Sequence, residues 1–360
     1  MVIAVRVSMK FTRPILINAL LFLLAICLQG CGGRVKDAQV DFKEVRQGRL
    51  EICSEPFFCD TYKDLWVLDE VFVVVGYARH SEKFVHVFNR ATGAYEKSFL
   101  EKGRSADEVL SVGETWLSGQ ILYLWDYVGR TLYSCDLSDI AHTDGIHLDR
   151  VEMNDNSYTH VLCNGKSTVQ LTNASFIENA PMNAKPRILK GDIGSKNALA
   201  FNGYPVADRF KTWWMYMQPT MAIDPDFHKL ALLSSCYYGC VMELFSMSAD
   251  KIECVSTLTL VPPAFEGAAN AATPDADLRY GAVDAIGTDE FVILAFDGNT
   301  SVSDKEAEPS FNNLLWFDWT GKPVRKLVID KSVKCLCAEN GTLYALVDTD
   351  EGDARIVRVD

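Results

Sequence analysis

The 360-residue chain lacks the short motifs by which common enzymes announce themselves. There is no Gly-x-Ser-x-Gly and no His-Glu-x-x-His, so neither the nucleophile turn of an α/β-hydrolase nor a zincin helix is encoded. Its six histidines (80, 86, 142, 147, 160 and 228) are dispersed, and its cysteines never occur as Cys-x2-Cys. That spacing argues against a structural zinc site, and no metal or other cofactor is expected. After residue 31 no long 3.6-residue apolar period appears, which excludes a helical bundle. Basic residues are scarce: 35 Lys and Arg stand against 48 Asp and Glu, a net charge of −13. Such a chain disfavours phosphate backbones, so no nucleic-acid partner is expected. Peripheral docking on anionic lipid is disfavoured for the same reason. What the chain does have is 48% hydrophobic and 11% aromatic residues, the content of a folded body.

The one long apolar run is Pro14-Ile-Leu-Ile-Asn-Ala-Leu-Leu-Phe-Leu-Leu-Ala-Ile-Cys-Leu-Gln-Gly-Cys31, preceded by Arg6, Lys10 and Arg13. A basic start, an apolar stretch of about a dozen residues and a small residue before a cysteine form a secretory signal of the lipoprotein type. The run is short for a membrane span of about 20 residues. The expectation is cleavage after Gly30 and lipidation of Cys31, with residues 31–41 as a tether to the body. An ordinary signal peptide or a short anchor helix is the alternative. Cleavage removes three basic residues and no acid, leaving 32 against 48, a net charge of −16. The acyl chains alone would then hold the protein in a bacterial envelope. Gly32 does not supply the aspartate of inner-membrane retention, which favours the outer membrane.

Cys27 leaves with the signal and Cys31 takes lipid, so nine of the eleven cysteines remain. An odd number leaves at least one free thiol. Cys236-Tyr-Tyr-Gly-Cys240 flanks a tight turn, and the two could bridge across a hairpin or serve as small buried hydrophobes. Cys335 and Cys337 share one strand face, where a mutual bridge is difficult.

Short β-rich runs fill the rest, separated by Gly, Asp and Asn. Val71–Val75 leads to Lys83–Phe88, the turn Asn89-Arg-Ala-Thr-Gly93 and Tyr95–Phe99. The same order recurs from Gln120, Lys229, Phe291 and Gly341. Each unit reads as an inner strand, a hairpin, a strand ending in Asp or Asn, a Gly turn and an outer strand. The period of about 40–55 residues is that of propeller blades. The units fall at 62–100, 109–152, 158–205, 213–260, 278–330 and 333–360. The last stops after its third strand, and a strand near Val45–Ile52 has no unit of its own. The expected fold is therefore all-β, a six-bladed β-propeller over residues 42–360, closed by an N-terminal strand that completes the last blade. A double-sheet sandwich or two small β domains is the alternative. Residues 262–277 and 298–312 are long loops of the kind that carry function.

The blade wording resembles the uncharacterised six-bladed propeller lipoproteins of Bacteroidales, within the broad TolB/NHL-like design. The matching stretches are Val85–Asn89 with Thr92-Gly93, Gly203-Tyr-Pro205, Ala222–Asp226 with His228–Ala231, Leu315–Pro323 and the Tyr344 unit. Members often carry Gly-Arg-Gly-Pro-x-Glu after the first blade; here it reads Gly103-Arg104-Ser105-Ala106-Asp107-Glu108. The resemblance implies a propeller in the envelope and carries no activity with it.

Candidate site residues follow from architecture, because propellers bind at the mouth of the central channel through the loops that enter the inner strands. Those loops contain Arg104, Glu108, Arg209, Arg279 and Tyr280. Trp213 and Trp214 lie in the densest aromatic cluster, Lys211–Gln218, and read either as core packing between blades or as a ligand platform. Tyr237 and Tyr238 sit at a hairpin tip that cannot bury both rings. His86 alternates with Phe84 and Phe88 and reads as packed, while His142 and His147 read as solvated. Asp348–Asp353 reads as a polar turn, since it lacks the closing Glu of a calcium loop. The expected function is a monomeric, lipid-anchored propeller that binds an envelope protein or glycan without catalysis. The alternatives are a glycan lyase or hydrolase with a site in the axial funnel, and a scaffold acting through a blade edge.

Overall fold

The computed structural model describes residues 36–37, 40–143, 145–153, 158–171, 186–193, 197–203, 219–234, 237–266 and 273–360. Every regular element among them is a strand, and none is a helix long and apolar enough to cross a membrane. Cys31, Arg209, Trp213, Trp214 and Cys236 lie outside the described residues.

Six four-stranded antiparallel units follow one another. Blade 1 is Thr61–Val67, Val71–Ala78, Lys83–Asn89 and Tyr95–Glu101. Blade 2 is Thr115–Ser118, Ile121–Asp126, Thr131–Asp136 and Asp149–Val151. Blade 3 is His160–Cys163, Ser167–Leu171, Ile188–Asp192 and Ala198–Phe201. Blade 4 is Thr220–Ile223, Lys229–Ser234, Cys240–Met247 and Ile252–Val261. Blade 5 is Ala282–Gly287, Phe291–Phe296, Asn313–Asp318 and Pro323–Val328. Blade 6 is Val333–Glu339, Thr342–Asp348 and Ala354–Val359, with Leu50–Ile52 as its outermost strand. First strands touch at the boundaries of blades 1 and 2, 2 and 3, 4 and 5, 5 and 6, and 6 and 1, which places them around the axis. The fold is a six-bladed propeller.

The first strand of each blade is not the run that looks most like a core strand. The run Val71–Val75 reads as the inner strand, yet the strand that holds it, Val71–Ala78, is second in its blade. A second strand is covered on both faces by neighbouring blades, and Val71 to Val75 are all buried. The first strand faces the channel, so Thr61–Val67 alternates exposed and buried positions and carries polar groups. Apolar content thus marks distance from water rather than distance from the axis.

The third strands of blades 1, 2 and 5 end in Asn89, Asp136 and Asp318, whose side chains bond amides of the following turn. Asn89 Oδ1 accepts from the amides of Ala91 and Thr92, both at 3.0 Å. Asp318 Oδ1 accepts from Thr320 N at 2.9 Å and Lys322 N at 3.0 Å. Gly93 completes the first of these turns at φ +74, where an added Cβ would lie 2.6 Å from the Cys53 carbonyl oxygen. Only glycine tolerates both the left-handed backbone and that approach.

Ring closure uses more chain than the single strand expected near Val45–Ile52. Only Leu50–Ile52 pairs with Ala354–Val359. Glu44–Gln47 instead lies parallel to Pro323–Val328 on blade 5, and Lys36–Asp37 lies parallel to Ile252–Val261 on blade 4. Gly48 separates the two later strands; its amide bonds the Val328 carbonyl at 2.9 Å, and a Cβ there would press on Ile329 at 2.8 Å. Within the segment read as a tether, Val40 packs against the core shared by blades 4 and 5. Phe42 packs there too, edge-on to Phe317 at 5.4 Å.

Candidate functional site

The innermost strands of three adjacent blades share one irregularity. Blade 5 has a register shift between Ala282 and Asp284, blade 6 between Val333 and Cys335, and blade 1 between Tyr62 and Asp64. A β-bulge re-aims the residue that follows it. Asp284, Cys335 and Asp64 occupy that following position, near the end of the channel where the inter-blade loops enter.

Hydrogen bonds tie these groups across blade boundaries. Asp284 Oδ2 accepts from the Leu336 amide of blade 6 at 2.7 Å. The Thr115 hydroxyl of blade 2 donates to Asp64 Oδ2 at 2.7 Å and accepts from Trp66 Nε1 at 2.9 Å. On blade 3, His160 Nδ1 pairs with Glu114 Oε1 of blade 2 at 2.5 Å, while Glu114 Oε2 is buried without a hydrogen-bond partner. Thus one polar collar runs round most of the axis.

Protein encloses the two aspartates although both keep a little contact with the channel. Burial, followed by the charge of Asp284, raises the Asp64 carboxyl to about 7 against the hydrogen bond from Thr115. Burial raises Asp284 to about 6, against amide donation from Leu336 and Ala285. Burial also acts to raise Glu114, but the charge and hydrogen bond of His160 outweigh it and hold the carboxyl below its ordinary value. Burial pushes the Cys335 thiol well up, and the two aspartates add to that. A carboxyl near 7 can hold or release a proton at neutral pH. A thiol held protonated is no nucleophile. The collar therefore offers proton exchange and hydrogen bonds without an activated nucleophile. Among the described residues no group of three or more His, Cys, Asp or Glu is placed to hold a metal ion.

The loop end of the ring carries a second feature. Tyr237 and Tyr238, between the second and third strands of blade 4, meet Tyr280, which precedes blade 5. Ring centroids lie 5.0 Å apart for Tyr237–Tyr238, 5.2 Å for Tyr237–Tyr280 and 5.8 Å for Tyr238–Tyr280. Phe311 backs the cluster, 5.6 Å from Tyr237. Tyr237 and Tyr238 remain 41% and 39% exposed, so the two form a platform at the surface. Beside it, Arg279 Nη1 donates to the Asn299 carbonyl at 3.0 Å and the rest of the side chain is exposed.

Of the residues expected at the channel mouth, Arg279 and Tyr280 lie at this platform. Arg104 and Glu108 lie in the loop before blade 2, three blades away and so on the opposite side of the ring. Arg104 is exposed, and Glu108 Oε2 accepts from Ser105 N at 2.8 Å, closing its own turn. No hydrogen bond or ion pair among the described residues joins that pair to Arg279 or Tyr280. His86 is buried, with Nε2 3.1 Å from the Gly76 carbonyl oxygen. His147 is exposed and pairs with Asp107 at 2.9 Å. The axial residues Asp64, Glu114, His160 and Asp284 were not among the expected set. Their signal was a charged or polar residue early in an otherwise apolar strand, as in Lys63-Asp64-Leu65-Trp66 and Val283-Asp284-Ala285-Ile286.

Residues 215–341 match the family described as TolB-like 6-blade propeller-like. The matched stretch takes in blades 4 and 5 and the first strand of blade 6, and it agrees with the propeller architecture. Two solved structures share the architecture of this propeller. One is a candidate exported protein of Bacteroides fragilis NCTC 9343, with a TM-score of 0.52 at 7% identity, covering 88% of this chain and 98% of that one. The other is a DUF4221 family member from Bacteroides vulgatus ATCC 8482, also with a TM-score of 0.52 at 7% identity and the same coverage, 88% and 98%. No curated protein matches the chain. At such identity the likeness speaks for the fold alone.

Proposed function

We propose that this propeller is a lipid-anchored envelope protein that binds a glycan or protein partner at its loop end, without turnover. The observation that supports binding is the tyrosine platform. Tyrosine presents a large flat apolar face with a polar tip, and such rings anchor both sugars and protein segments. Burying two half-exposed rings on a partner recovers apolar area that the fold leaves in water. The anchor rests on the signal and Cys31, and the naming of a structural neighbour as exported agrees with it.

Two measurements test the reading. Mass spectrometry of the protein from its native host should find acyl chains on Cys31, and Cys31→Ala should release the body from the membrane fraction. Cross-linking in that host, paired with a glycan array, should identify a partner that the double variant Tyr237→Ser/Tyr238→Ser loses at least tenfold. Capture unaffected by the double variant, or hydrolytic turnover of a glycan that depends on Asp64 or Asp284, would overturn it.

A further inference from the structure

The opposite end of the channel, where the inner strands finish, holds a pocket of about 390 Å³. It lies between the first hairpin turns of blades 6, 1 and 2. Trp66, Leu68, Leu117 and Cys337 supply apolar walls, and Asp69, Gln120 and Glu339 supply polar groups. That size falls in the range of about 300–1,000 Å³ typical of small-ligand sites.

The indole in this wall is held on two sides. Its Nε1 donates to Thr115 Oγ1 at 2.9 Å, and Trp116 meets it edge-on at 5.9 Å. Ring orientation is therefore set before a ligand arrives, which lowers the ordering cost of binding. Of the two rim acids, Glu339 is engaged by Arg90 at 3.3 Å. Arg90 is itself occupied, donating to the Leu68 carbonyl at 2.9 Å and the Tyr344 hydroxyl at 3.2 Å. Asp69 is exposed and has no ion pair among the described residues. Further acid stands at the same end: Glu70 follows Asp69, and the first turn of blade 5 carries exposed Asp289 and Glu290.

We propose that this pocket binds a small organic cation, an ammonium bearing apolar substituents. A fixed indole attracts a cation over its face, more strongly when water is excluded. Leu68 and Leu117 would cover the substituents, and Asp69 would pair with the charge at the rim. An anion would meet Asp69, Glu70 and Glu339, and a bare metal ion would find one unengaged carboxylate where several oxygens are needed. This site is separate from the partner-binding platform and does not depend on it.

Calorimetry on the full-length protein tests the proposal with tetramethylammonium, choline and benzyltrimethylammonium as probes, against 3,3-dimethylbutan-1-ol as the neutral isostere of choline. At least one cation should bind at millimolar concentration or below, and choline should bind about tenfold or more tightly than its isostere. Trp66→Leu should abolish binding. Asp69→Lys, at an exposed position that does not threaten folding, should weaken it at least tenfold, while Tyr237→Ser/Tyr238→Ser leaves it unchanged. Equal affinity for choline and its isostere, an unaffected Asp69→Lys variant, or binding of a lysine-rich peptide with no binding of any of the three ammonium probes would overturn it.

Discussion

Asp64 and Asp284 hold the same position on blades 1 and 5, each directly after a bulge in the innermost strand, with Cys335 of blade 6 at the equivalent place between them. The relationship is electrostatic as well as geometric: the charge of Asp284 is the second cause, after burial, of the raised Asp64 carboxyl. Each aspartate is also half of a bond between blades, Asp64 through Thr115 and Asp284 through the Leu336 amide. The groups that shape the channel are therefore groups that join its walls.

Stability should fall as these carboxyls ionise. The folded protein holds Asp64 up to about 7 and Asp284 up to about 6, both above the ordinary 3.8. Their folded forms bind protons more tightly than the unfolded chain does, so their contribution is full below pH ~4 and is lost as the pH rises through 6 and 7. Asp64→Asn removes the larger part and still accepts from Thr115. Urea unfolding at pH 5 and pH 8 should show the variant gaining roughly 2 kcal/mol on the wild type over that interval, under a ceiling of about 1.4 kcal/mol per pKa unit. Parallel pH dependence of the two proteins would show that Asp64 does not titrate there.

Blades 3 and 4 should depend on one ion pair. Arg187 and Glu243 are 4% and 2% exposed, and the guanidinium reaches both carboxylate oxygens, one at 2.9 Å. Removing one partner leaves a buried charge, which costs about 3–5 kcal/mol. Glu243→Leu is expected to lower stability by that amount in a denaturant melt. The double variant Arg187→Met/Glu243→Leu should recover at least half of it, because an apolar pair needs no charge balance. A double variant no better than the single one would place the loss in packing instead.

Blade number and order were legible because the signal for them is local. Strand, turn and strand recur within about 50 residues, most plainly at the Asx–glycine turns Asn89–Gly93 and Asp318–Gly321. The role of each strand was less legible. Val71–Val75 reads as the centre of its blade by hydrophobicity, but the axis belongs to Thr61–Val67, whose Lys63 and Asp64 look like surface residues in sequence. A bulge has no sequence signature of its own, so the convergence of Asp64, Cys335 and Asp284 appears only when the ring closes. The Lys36–Asp37 strand and the blade 5 partner of Glu44–Gln47 were hidden for a related reason: parallel edge pairing uses backbone groups, and the exposed side chains of Val45 and Arg46 carry no imprint of it.

The N-terminal segment should contribute to stability in proportion to where it pairs. Its last part makes the densest set of bonds: Arg49 and Asp360 exchange amide and carbonyl at 3.0 Å, Cys53 N reaches the Ile356 carbonyl at 2.9 Å, and Phe57 exchanges with Ala354 at 2.9 and 2.8 Å. The buried Ser54 hydroxyl accepts from Ile356 N at 2.9 Å. Without this stretch Ala354–Val359 becomes an open edge, with unpaired amides and apolar neighbours such as Phe72 and Leu346 nearer to water. Among the described residues, deleting residues 1–39 removes the short pairing on blade 4, and it should cost about 1 kcal/mol or less. Deleting residues 1–49 also takes Phe42 off Phe317 and the Glu44–Gln47 strand off blade 5, and should cost a few kcal/mol more. Deleting residues 1–58 opens the ring and should abolish the cooperative melt or lower its midpoint by more than the first two deletions combined. Thermal melts of the three proteins, read beside limited proteolysis near residue 354, check the order. Equal midpoints for the first and last deletions would mean that the ring holds without its closing strand, through the packing of blade 6 on blade 1 that Phe72 and Tyr344 make at 5.5 Å.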